Sequence, residues 1–384
     1  NNNDNKVLNV PPLRFPEFSG EWKMCTIGEL TTKVGSGVTP RGGEAVYKTE
    51  GHPFVRSQNV GLGNLLLDDI AFIDEETHLR QKNTELQFND VLLNITGASI
   101  GRSALVDKQI VGGNVNQHVC IIRTKENLVP SFICSFLLSN YGQRQIDSFQ
   151  AGGNRQGLNF EQIKSIKITI PSKDEQIKIA KLLRAIDERI ATQNKIIDKL
   201  QSLIKGLRVC CMQRNGSNNV YLSEIAQIYQ PQTISSTELT EDGFLVYGAN
   251  GIIGKYKDYN HETEQICITC RGNTCGMVNY TKPMSWITGN AMVINTDKYQ
   301  DKVCKRYLYH YLSAYNFNSI ISGSGQPQIV RTPLEKLKIT LPTISEQKQK
   351  AIIFDKIQDK IDINHKVLNL YIGQKQYLLR QMFI

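Results

Sequence analysis

The chain contains one segment twice: an alternating strand, a proline and the start of a long amphipathic helix, repeated at a distance of 171 residues. Residues 166–176 form the first copy and residues 337–347 the second. In each copy a hydroxyl side chain and a glutamate have the spacing of a capping box, which satisfies free backbone N–H groups at a helix start. These pairs are Ser172 with Glu175 and Thr343 with Glu346. Two long helices are therefore predicted to begin at equivalent places.

Both predicted helices carry apolar residues at alternating steps of three and four, which is the heptad pattern of a coiled coil. These residues are Ile179, Leu183, Ile186, Ile190, Ile197, Leu200, Ile204 and Leu207 in the first helix, and Phe354, Ile357, Ile361, Leu368, Tyr371 and Leu378 in the second. Gln193 and Asn364 occupy equivalent seam positions, and Lys350 and Lys375 interrupt the second seam. We expect the helices to pack on each other; the alternative is that each lies on its own domain.

Composition describes an ordinary globular protein of two or three domains, with 384 residues, of which 40% are hydrophobic and 21% charged. No membrane-spanning run or secretory signal is recognisable, so we expect a cytoplasmic protein. Nine cysteines do not indicate a disulfide framework, and the CxxC of Cys267 and Cys270 has no second CxxC to complete a zinc site. We therefore expect buried thiols. The formal charge of +9 permits a polyanionic partner.

Polar or basic stretches follow several predicted strands. Residues 33–43 combine glycines and hydroxyls with basic residues, and a surface turn and a phosphate contact are equally compatible with them. An apolar strand is followed directly by Arg56, Gln58 and Asn59, whose side-chain types pair in bidentate fashion with guanine and adenine edges. This strand end is predicted to read bases, with an ordinary exposed loop as the alternative.

A second internal match lies within the globular parts. A buried strand, a glycine turn and a return strand occur at 90–101 and again at 265–276. Further correspondences are 54–59 with 245–250, 116–118 with 290–292, and the glycine-rich loops 152–157 and 323–331, each of which precedes a final strand. Such loops let a backbone approach phosphates while Arg and Gln side chains reach a groove.

The chain is thus predicted to be an α+β tandem repeat. Two similar domains of mixed α and β structure are expected at 1–171 and 215–342, followed by long helices at 172–214 and 343–384. The candidate DNA-binding residues are Lys33, Ser36, Thr39, Arg41, Arg56, Gln58, Asn59, Arg155, Gln156, Tyr247, Asn250, Lys255, Arg271, Asn273, Gln326, Gln328 and Arg331.

Motifs for catalysis are missing or incomplete. The Asn-Pro-Pro-Tyr loop of adenine methyltransferases does not occur, and residues 249–255 approach a Walker A motif but are followed by Tyr256, where magnesium requires Ser or Thr. The six histidines have no HExxH spacing. We therefore predict neither an active site nor a metal site on this chain.

Taken together, these motifs resemble a known family. The residues that carry the likeness are Pro12-Leu-Arg-Phe-Pro-Glu-Phe18 with Trp22, Asp90-Val-Leu-Leu leading to Gly97 and Gly101, Asn116-Gln117, and Ile170-Pro171 to Glu175-Gln176 before a long helix. In this order, repeated along nearly the whole chain, they resemble the specificity subunit of type I restriction-modification systems.

That resemblance implies a non-catalytic DNA reader. Each globular half would be a target recognition domain for one part of a bipartite site in double-stranded DNA. The two helices would form an antiparallel coiled-coil spacer with pseudo-twofold symmetry and would dock two methyltransferase subunits. S-adenosylmethionine for adenine methylation, and ATP and Mg²⁺ for a translocating restriction endonuclease subunit, are expected on those partners and not on this chain. Gln265 and Ala291 depart from the family pattern, which has aspartate and glutamine there.

Two other classes of function stay open. A self-sufficient restriction or methylating enzyme would need the missing cofactor motifs. A structural coiled-coil scaffold without a nucleic-acid role would explain the helices but not the paired basic loops. Salt-sensitive DNA binding by the assembled complex distinguishes the DNA reader from the scaffold.

The seam amides Gln193 and Asn364 generate a prediction. In an antiparallel pair they would face each other across an apolar seam and fix its register at some cost in stability; the alternative is that both point into solvent at a break in the heptad. Replacing both by Leu should keep or raise the melting temperature but broaden the range of spacer lengths tolerated between half-sites. The measurement is methylation of DNA substrates whose spacer varies by single base pairs. An unchanged, sharp spacer preference would show that the amides do not set the register.

Overall fold

A computed structural model of the chain describes residues 9–150, 157–212, 218–249, 251–323 and 325–384. The chain divides into two compact units. Unit 1 comprises Asn1–Asn194 with Val367–Ile384, and unit 2 comprises Lys195–Lys366. Each unit therefore contains one globular domain and a part of each long helix.

Unit 1 contains the first nine strands. They are β1 (Lys23–Thr26), β2 (Thr31–Ser36), β3 (His52–Val55), β4 (Ala71–Ile73), β5 (Val91–Asn94), β6 (Ser103–Leu105), β7 (Asn114–Val115), β8 (Val119–Thr124) and β9 (Lys167–Ile170). Its short helices are α1 (Glu75–Arg80), α2 (Pro130–Leu138), α3 (Asn140–Ser148) and α4 (Phe160–Ser165). The first long helix, α5 (Lys173–Met212), follows the last of these strands.

Unit 2 repeats this order of strands with fewer short helices. Its strands are β10 (Asn218–Tyr221), β11 (Gln227–Tyr229), β12 (Phe244–Gly248), β13 (Gly251–Tyr256), β14 (Ile266–Thr269), β15 (Val278–Tyr280), β16 (Trp286–Ile287), β17 (Ala291–Asn295) and β18 (Lys338–Leu341). Its helices are α6 (Lys305–Ala314) and α7 (Arg331–Glu335), and the second long helix is α8 (Ile344–Gln381).

The sheets have the same topology in both units. A four-stranded antiparallel sheet has the order β2-β8-β5-β6 in unit 1 and β11-β17-β14-β15 in unit 2. A three-stranded sheet has the order β4-β3-β7 or β13-β12-β16, with the last pair parallel in each case. A two-stranded sheet, β1-β9 or β10-β18, precedes each long helix. The predicted tandem repeat of two mixed α and β domains is confirmed.

The core of unit 1 is closed by the end of the chain. Its central strand β5 is buried on both faces: Val91, Leu92 and Leu93 present apolar side chains in succession, and the buried amide of Asn94 donates to Ser57 and Ser99. Phe383 is fully buried, and its ring lies 5.2 Å from the ring of Phe132 in α2. Leu378, Leu379 and Met382 join the same cluster. The last turn of α8 and the residues after it are therefore part of the first domain's core.

The predicted helix starts differ in detail. At the second start, Thr343 and Glu346 form a reciprocal capping box, with N–H to oxygen distances of 3.0 and 3.4 Å. At the first start, Ser172 accepts from the N–H of Glu175, but the Glu175 carboxylate binds Arg14 through two hydrogen bonds of 2.7 and 2.8 Å. The first glutamate thus ties the helix to the N-terminal segment instead of completing the box.

A glutamine in the first turn of each long helix joins that helix to its domain. The Gln176 amide oxygen accepts from the N–H of Val129, and its nitrogen donates to the carbonyls of Asn127 and Pro171. Gln347 makes the same three bonds, to the N–H of Cys304 and the carbonyls of Lys302 and Pro342, at 2.8, 3.1 and 2.9 Å. Both side chains are buried. We call this arrangement the glutamine clamp.

The long helices pack through the predicted seam. In unit 1 the start of α5 and the end of α8 share one hydrophobic cluster, and in unit 2 the end of α5 packs on the start of α8, so the pairing is antiparallel. Lys375, predicted as an interruption, is accommodated because its amine lies 2.6 Å from the Asp187 carboxylate. Gln193 and Asn364 are both buried, which removes the alternative that they point into solvent.

A polar cluster inside unit 2 connects three helices. Arg208 of α5 donates to Nδ1 of His310 in α6 at 2.8 Å, and Nε2 of His310 donates to Asp355 of α8 at 2.7 Å. Arg306 also donates to Asp355. Burial lowers the pKa of His310 to about 4, and it lowers the pKa of Arg208 as well. In this arrangement His310 is neutral and carries its proton on Nε2.

Over the ranges that the structure describes, no helix is long and apolar enough to cross a membrane, and no three His, Cys, Asp or Glu side chains are grouped as metal ligands. Cys267 and Cys270 are buried, and burial raises the pKa of the Cys267 thiol to about 12.

His310 should make the stability of unit 2 depend on pH. Its folded pKa of about 4 lies below the ordinary value of 6.5, so between these values the unfolded chain binds the proton and the folded chain does not. Stability should therefore fall as the pH drops from 6.5 to 4, by up to roughly 3 kcal/mol from this residue. His310→Gln, which can still accept from Arg208 and donate to Asp355, should remove most of that dependence.

The measurement is hydrogen exchange of the α6 amides between pH 7 and 4, corrected for the intrinsic rates. His365→Gln is the matched control, because His365 is exposed on the same unit's part of α8. An equal pH dependence in His310→Gln and the parent would contradict the assignment.

Candidate nucleic-acid interface

Loops at one end of the sheets are held together by the same backbone pattern in both units. In unit 1 the N–H of Asn116 donates to Val55, that of Ile95 to His118 and that of Leu158 to Ile95. In unit 2 the N–H of Thr288 donates to Tyr247, that of Cys270 to Asn290 and that of Ile329 to Cys270. These six bonds are 2.8 to 3.1 Å long. Four loops of each domain therefore meet at equivalent strand ends, and we call this surface the loop face.

The pattern corrects one predicted correspondence. Because Ile95 and Cys270 bind the carbonyls of His118 and Asn290, the turn 116–118 is equivalent to 288–290 and not to 290–292. Gly289, rather than Ala291, therefore stands at the place of Gln117. In unit 2 the Gln230 side chain donates to the Gly289 carbonyl.

The predicted reader segment after β3 is organised by an acid that the sequence did not single out. Asp69 accepts from the side chains of Arg56, Gln58 and Asn59. The guanidinium of Arg56 also donates to the Asp69 carbonyl at 2.6 Å and lies 5.5 Å from the centre of the Tyr47 ring. Arg56 is thus held by the loop itself, and only Gln58 of the three predicted readers is exposed.

Asn59 is a structural residue of this loop. Its side chain is fully buried, its oxygen accepts from the N–H of Arg56 at 2.9 Å, and its nitrogen donates to Leu66 and Asp69 at 2.9 and 3.0 Å. A buried amide with three partners cannot present a hydrogen-bonding edge to a base. We remove Asn59 from the candidate readers.

The basic loop after β2 contains one exposed cation, Arg41. Lys33 lies on the strand and donates to the carbonyl of Asn83, and burial lowers its pKa. Ser36 ends the strand and is half-buried, and Thr39 binds Gln117. Arg41 is exposed beside a groove of about 650 Å³ that Lys48 and Arg80 also line. Cations along a groove suit the phosphates of a nucleic-acid backbone.

Tyr247, which was also predicted to read bases, belongs to a hydrophobic core. It is 5% exposed and packs with Cys267 and Ile287, and its hydroxyl accepts from the N–H of Lys282 at 3.1 Å. Burial raises its pKa, so the phenol stays protonated. Lys255 is partly exposed on β13, and its amine lies 3.6 Å from Asp242.

The remaining candidates of unit 2 lie together on the loop face. Arg271 and Gln328 form an antiparallel bridge, and the N–H of Gly272 donates to the carbonyl of Pro327 at 3.0 Å. Arg271, Gln328 and Arg331 line a cavity of about 350 Å³ whose other walls include Tyr229 and Gln230. Arg331 is bonded to Glu335 at 2.7 Å, whereas Arg271 forms no ion pair with any residue that the structure describes.

Asn273 and Gln326 are exposed on the same two loops. Arg155, Gln156 and Asn250 lie outside the described residues. The structure thus brings together Arg271, Asn273, Gln326, Gln328 and Arg331, and leaves Lys33, Asn59 and Tyr247 engaged elsewhere. Sequence reasoning missed Asp69 and Gln230, whose residue types carry no signal without knowledge of which loops meet.

Gln265 of the second domain replaces the aspartate of the family pattern, and a carboxylate from another position, Asp297, takes its place. In unit 1, Asp90 is buried and binds Arg123 through two bonds of 2.7 Å. In unit 2, Gln265 occupies this position and donates to Asp297 at 2.9 Å, and Asp297 pairs with Lys305. Burial alone would raise the pKa of Asp297, but the bonds from Lys305 and Gln265 outweigh burial and lower it. Both domains keep one carboxylate paired with one cation at this place, buried in unit 1 and partly exposed in unit 2.

Comparison with known proteins agrees with the repeat. The family model described as "Type I restriction modification DNA specificity domain" matches residues 19–202 and 215–370. The chain is 24% identical to the type I restriction enzyme MjaVIII specificity subunit of Methanocaldococcus jannaschii, over 92% of this chain and 89% of that protein. It is 31% identical to the type I restriction enzyme EcoprrI specificity subunit of Escherichia coli, over 35% of this chain and 34% of that protein.

A solved structure shows the same fold. The type I restriction-modification system S subunit from M. genitalium aligns with a TM-score of 0.67 and 17% identity, covering 98% of this chain and 99% of that one. Two matched specificity domains account for most of the chain. The chain belongs to the type I restriction-modification specificity subunits, which are non-catalytic and recognise DNA.

Proposed function

We propose that each unit reads one half of a bipartite site in double-stranded DNA. The observation that carries this proposal is the loop face, which both domains build with the same backbone bonds but line with different side chains. Identical frames with different side chains suit two readers that bind DNA alike and recognise different bases. Exposed cations such as Arg41 and Arg271 would contribute the salt-dependent attraction to phosphates.

The long helices would set the distance between the half-sites. Two readers on one face of a duplex lie about one helical turn apart, roughly 34–36 Å. The 40 residues of α5 correspond to about 60 Å of helix, which is more than enough to span that distance rigidly. A flexible linker would allow many spacings, whereas paired helices allow few.

The same helices would dock two methyltransferase subunits. On α8, Ile363, Leu370 and Tyr377 are exposed at intervals of seven residues and lie off the seam, and Leu370 is 72% exposed. On α5, Ile196 and Leu203 have the same spacing and are also exposed. Regularly spaced exposed apolar residues are typical of a surface that a partner covers.

Catalysis would belong to the partner subunits. Methyltransferase subunits would bind S-adenosylmethionine and methylate adenine, and restriction endonuclease subunits, joined through the complex, would use ATP and Mg²⁺. This chain would contribute recognition and geometry and would bind none of these cofactors.

Exchange of one domain tests the proposal. The full chain, assembled with its methyltransferase partner, should methylate a bipartite motif, determined by methylome sequencing. Replacing residues 1–171 by the equivalent domain of a relative should change one half of that motif and leave the other half and the spacer unchanged. A simultaneous change of both halves would contradict independent reading, and salt-insensitive or absent DNA binding would favour the scaffold alternative.

Arg271 gives a residue-level prediction. Because it is exposed and carries no ion pair with the described residues, Arg271→Ala should weaken binding by ~1–3 kcal/mol if it pairs with a guanine edge. Discrimination at one base pair of the second half-site would then be lost. If it holds a phosphate, all sequences should weaken alike, and the salt slope should decrease by about one.

Equilibrium binding of cognate and substituted duplexes at several salt concentrations separates these results. Arg184→Ala is the control, because Arg184 is an exposed arginine on α5 that pairs with Glu188. Binding of Arg271→Ala that matches the parent at every salt concentration would remove Arg271 from the interface.

A further inference from the structure

The turn between β7 and β8 carries an exposed glutamine on the loop face of unit 1. Gln117 lies between Asn116, which is bonded to the end of β3, and His118, which is bonded to the end of β5. The side chain therefore projects where three loops of the domain meet. The turn itself is closed by bonds of backbone atoms and of the Asn116 side chain.

The orientation of the Gln117 amide is fixed by a backbone donor. The N–H of Thr39 donates to Oε1 of Gln117 at 3.1 Å. A backbone N–H can only donate, so the oxygen of the amide must face Thr39 and the nitrogen must face the other way. The hydroxyl of Thr39 bonds to the same oxygen.

The partner on the other side fixes the tautomer of a histidine. Nε2 of Gln117 lies 3.0 Å from Nε2 of His118. Because an amide nitrogen only donates, the histidine nitrogen must accept, and the ring proton must be on Nδ1. Nδ1 then donates to the Thr96 hydroxyl at 2.6 Å. Thr96 itself bridges to Gly157, so this chain of bonds joins four segments of the loop face.

Within the part of the chain that the structure describes, one of the two amide hydrogens of Gln117 has no acceptor. The amide has two hydrogens, and His118 accepts one of them; among the residues that the structure describes, no acceptor binds the other. The side chain is exposed, so the second hydrogen is available to a ligand in a defined direction. Purine N7, guanine O6 and thymine O4 are the acceptors that DNA presents in its major groove.

We propose that Gln117 makes a base contact in the first half-site, where its fixed N–H donates to an acceptor on a base edge. His118 and Thr96 are positioning residues that hold the amide in place. The inference rests on the proposed function, because it names a residue that reads DNA within the first domain.

The second domain cannot use the same element. Gly289 stands at the equivalent place, and a side-chain carbon there would lie 2.4 Å from Oγ1 of Thr233 and 2.8 Å from the carbonyl of Pro231. No side chain fits between these atoms without displacing backbone. The contribution of Gln117 is therefore restricted to one half-site, which makes its loss distinguishable from a general loss of DNA binding.

Two substitutions test the proposal in the full chain assembled with its methyltransferase partner. Gln117→Ala removes the amide, and Gln117→Glu keeps an oxygen for Thr39 but replaces the donating nitrogen by an acceptor. Methylation rates are measured on duplexes that carry every single-base change in the methylated motif. Both variants should lose about tenfold discrimination at one base pair of the first half-site, as expected for one direct contact. The second half-site should be unaffected.

Gln109→Ala is the matched control, because Gln109 is an exposed glutamine of the same unit, in the connection between β6 and β7. If both Gln117 variants keep the parent's relative rates for every duplex, the inference is overturned while the proposed function stands. A uniform fall over all duplexes at an unchanged melting temperature also overturns it, because such a fall indicates a phosphate contact. If the parent complex itself shows no sequence-dependent methylation, the proposed function fails and the inference fails with it.

Discussion

The glutamine clamp is the interaction on which the arrangement of each unit depends. Gln176 and Gln347 sit in the first turn of their helices, and each buried side chain makes three hydrogen bonds with backbone groups. Loss of a buried hydrogen-bond partner costs about 1–3 kcal/mol for each group left unsatisfied. The clamp thus fixes the direction in which each long helix leaves its domain, and a reader that must meet a base needs that direction to be constant.

The two units use different chemistry outside the shared clamp. In unit 1 the end of α8 enters an apolar core around Phe132 and Phe383. In unit 2 the apolar contact between the long helices is accompanied by a polar one, with Arg208, His310 and Asp355 in one chain of hydrogen bonds. A polar contact of this kind requires all partners to be present and correctly protonated, whereas an apolar one requires only a good fit. The same strand topology and glutamine clamp are therefore compatible with different contacts between the long helices and their domains.

The repeat, both long helices, their seam and the strand–glycine turns could be predicted from the sequence, because periodicity and capping are local properties of a chain. The correspondence of 116–118 with 290–292 was wrong by two residues, since 288–290 is the true equivalent. A shift of two residues keeps every strand side chain on the same face, so the apolar pattern cannot detect it. The roles of Asn59 and Asp69 were hidden because they depend on which side chains a loop brings together, and this is settled by tertiary structure.

The place of Phe383 in the core of unit 1 has a consequence for synthesis on the ribosome. Unit 2 is a contiguous stretch of chain, Lys195–Lys366, so it has all of its residues once that stretch has left the exit tunnel. Unit 1 is made first, yet its core lacks Leu378, Leu379, Met382 and Phe383 until those residues have also been synthesised and have left the exit tunnel. Domains usually fold in the order in which they are made. Here the second unit can complete its core before the first one does. The nascent first domain exposes the apolar surface around Phe132 throughout this interval, and a premature stop in the last turn of α8 would leave it open permanently.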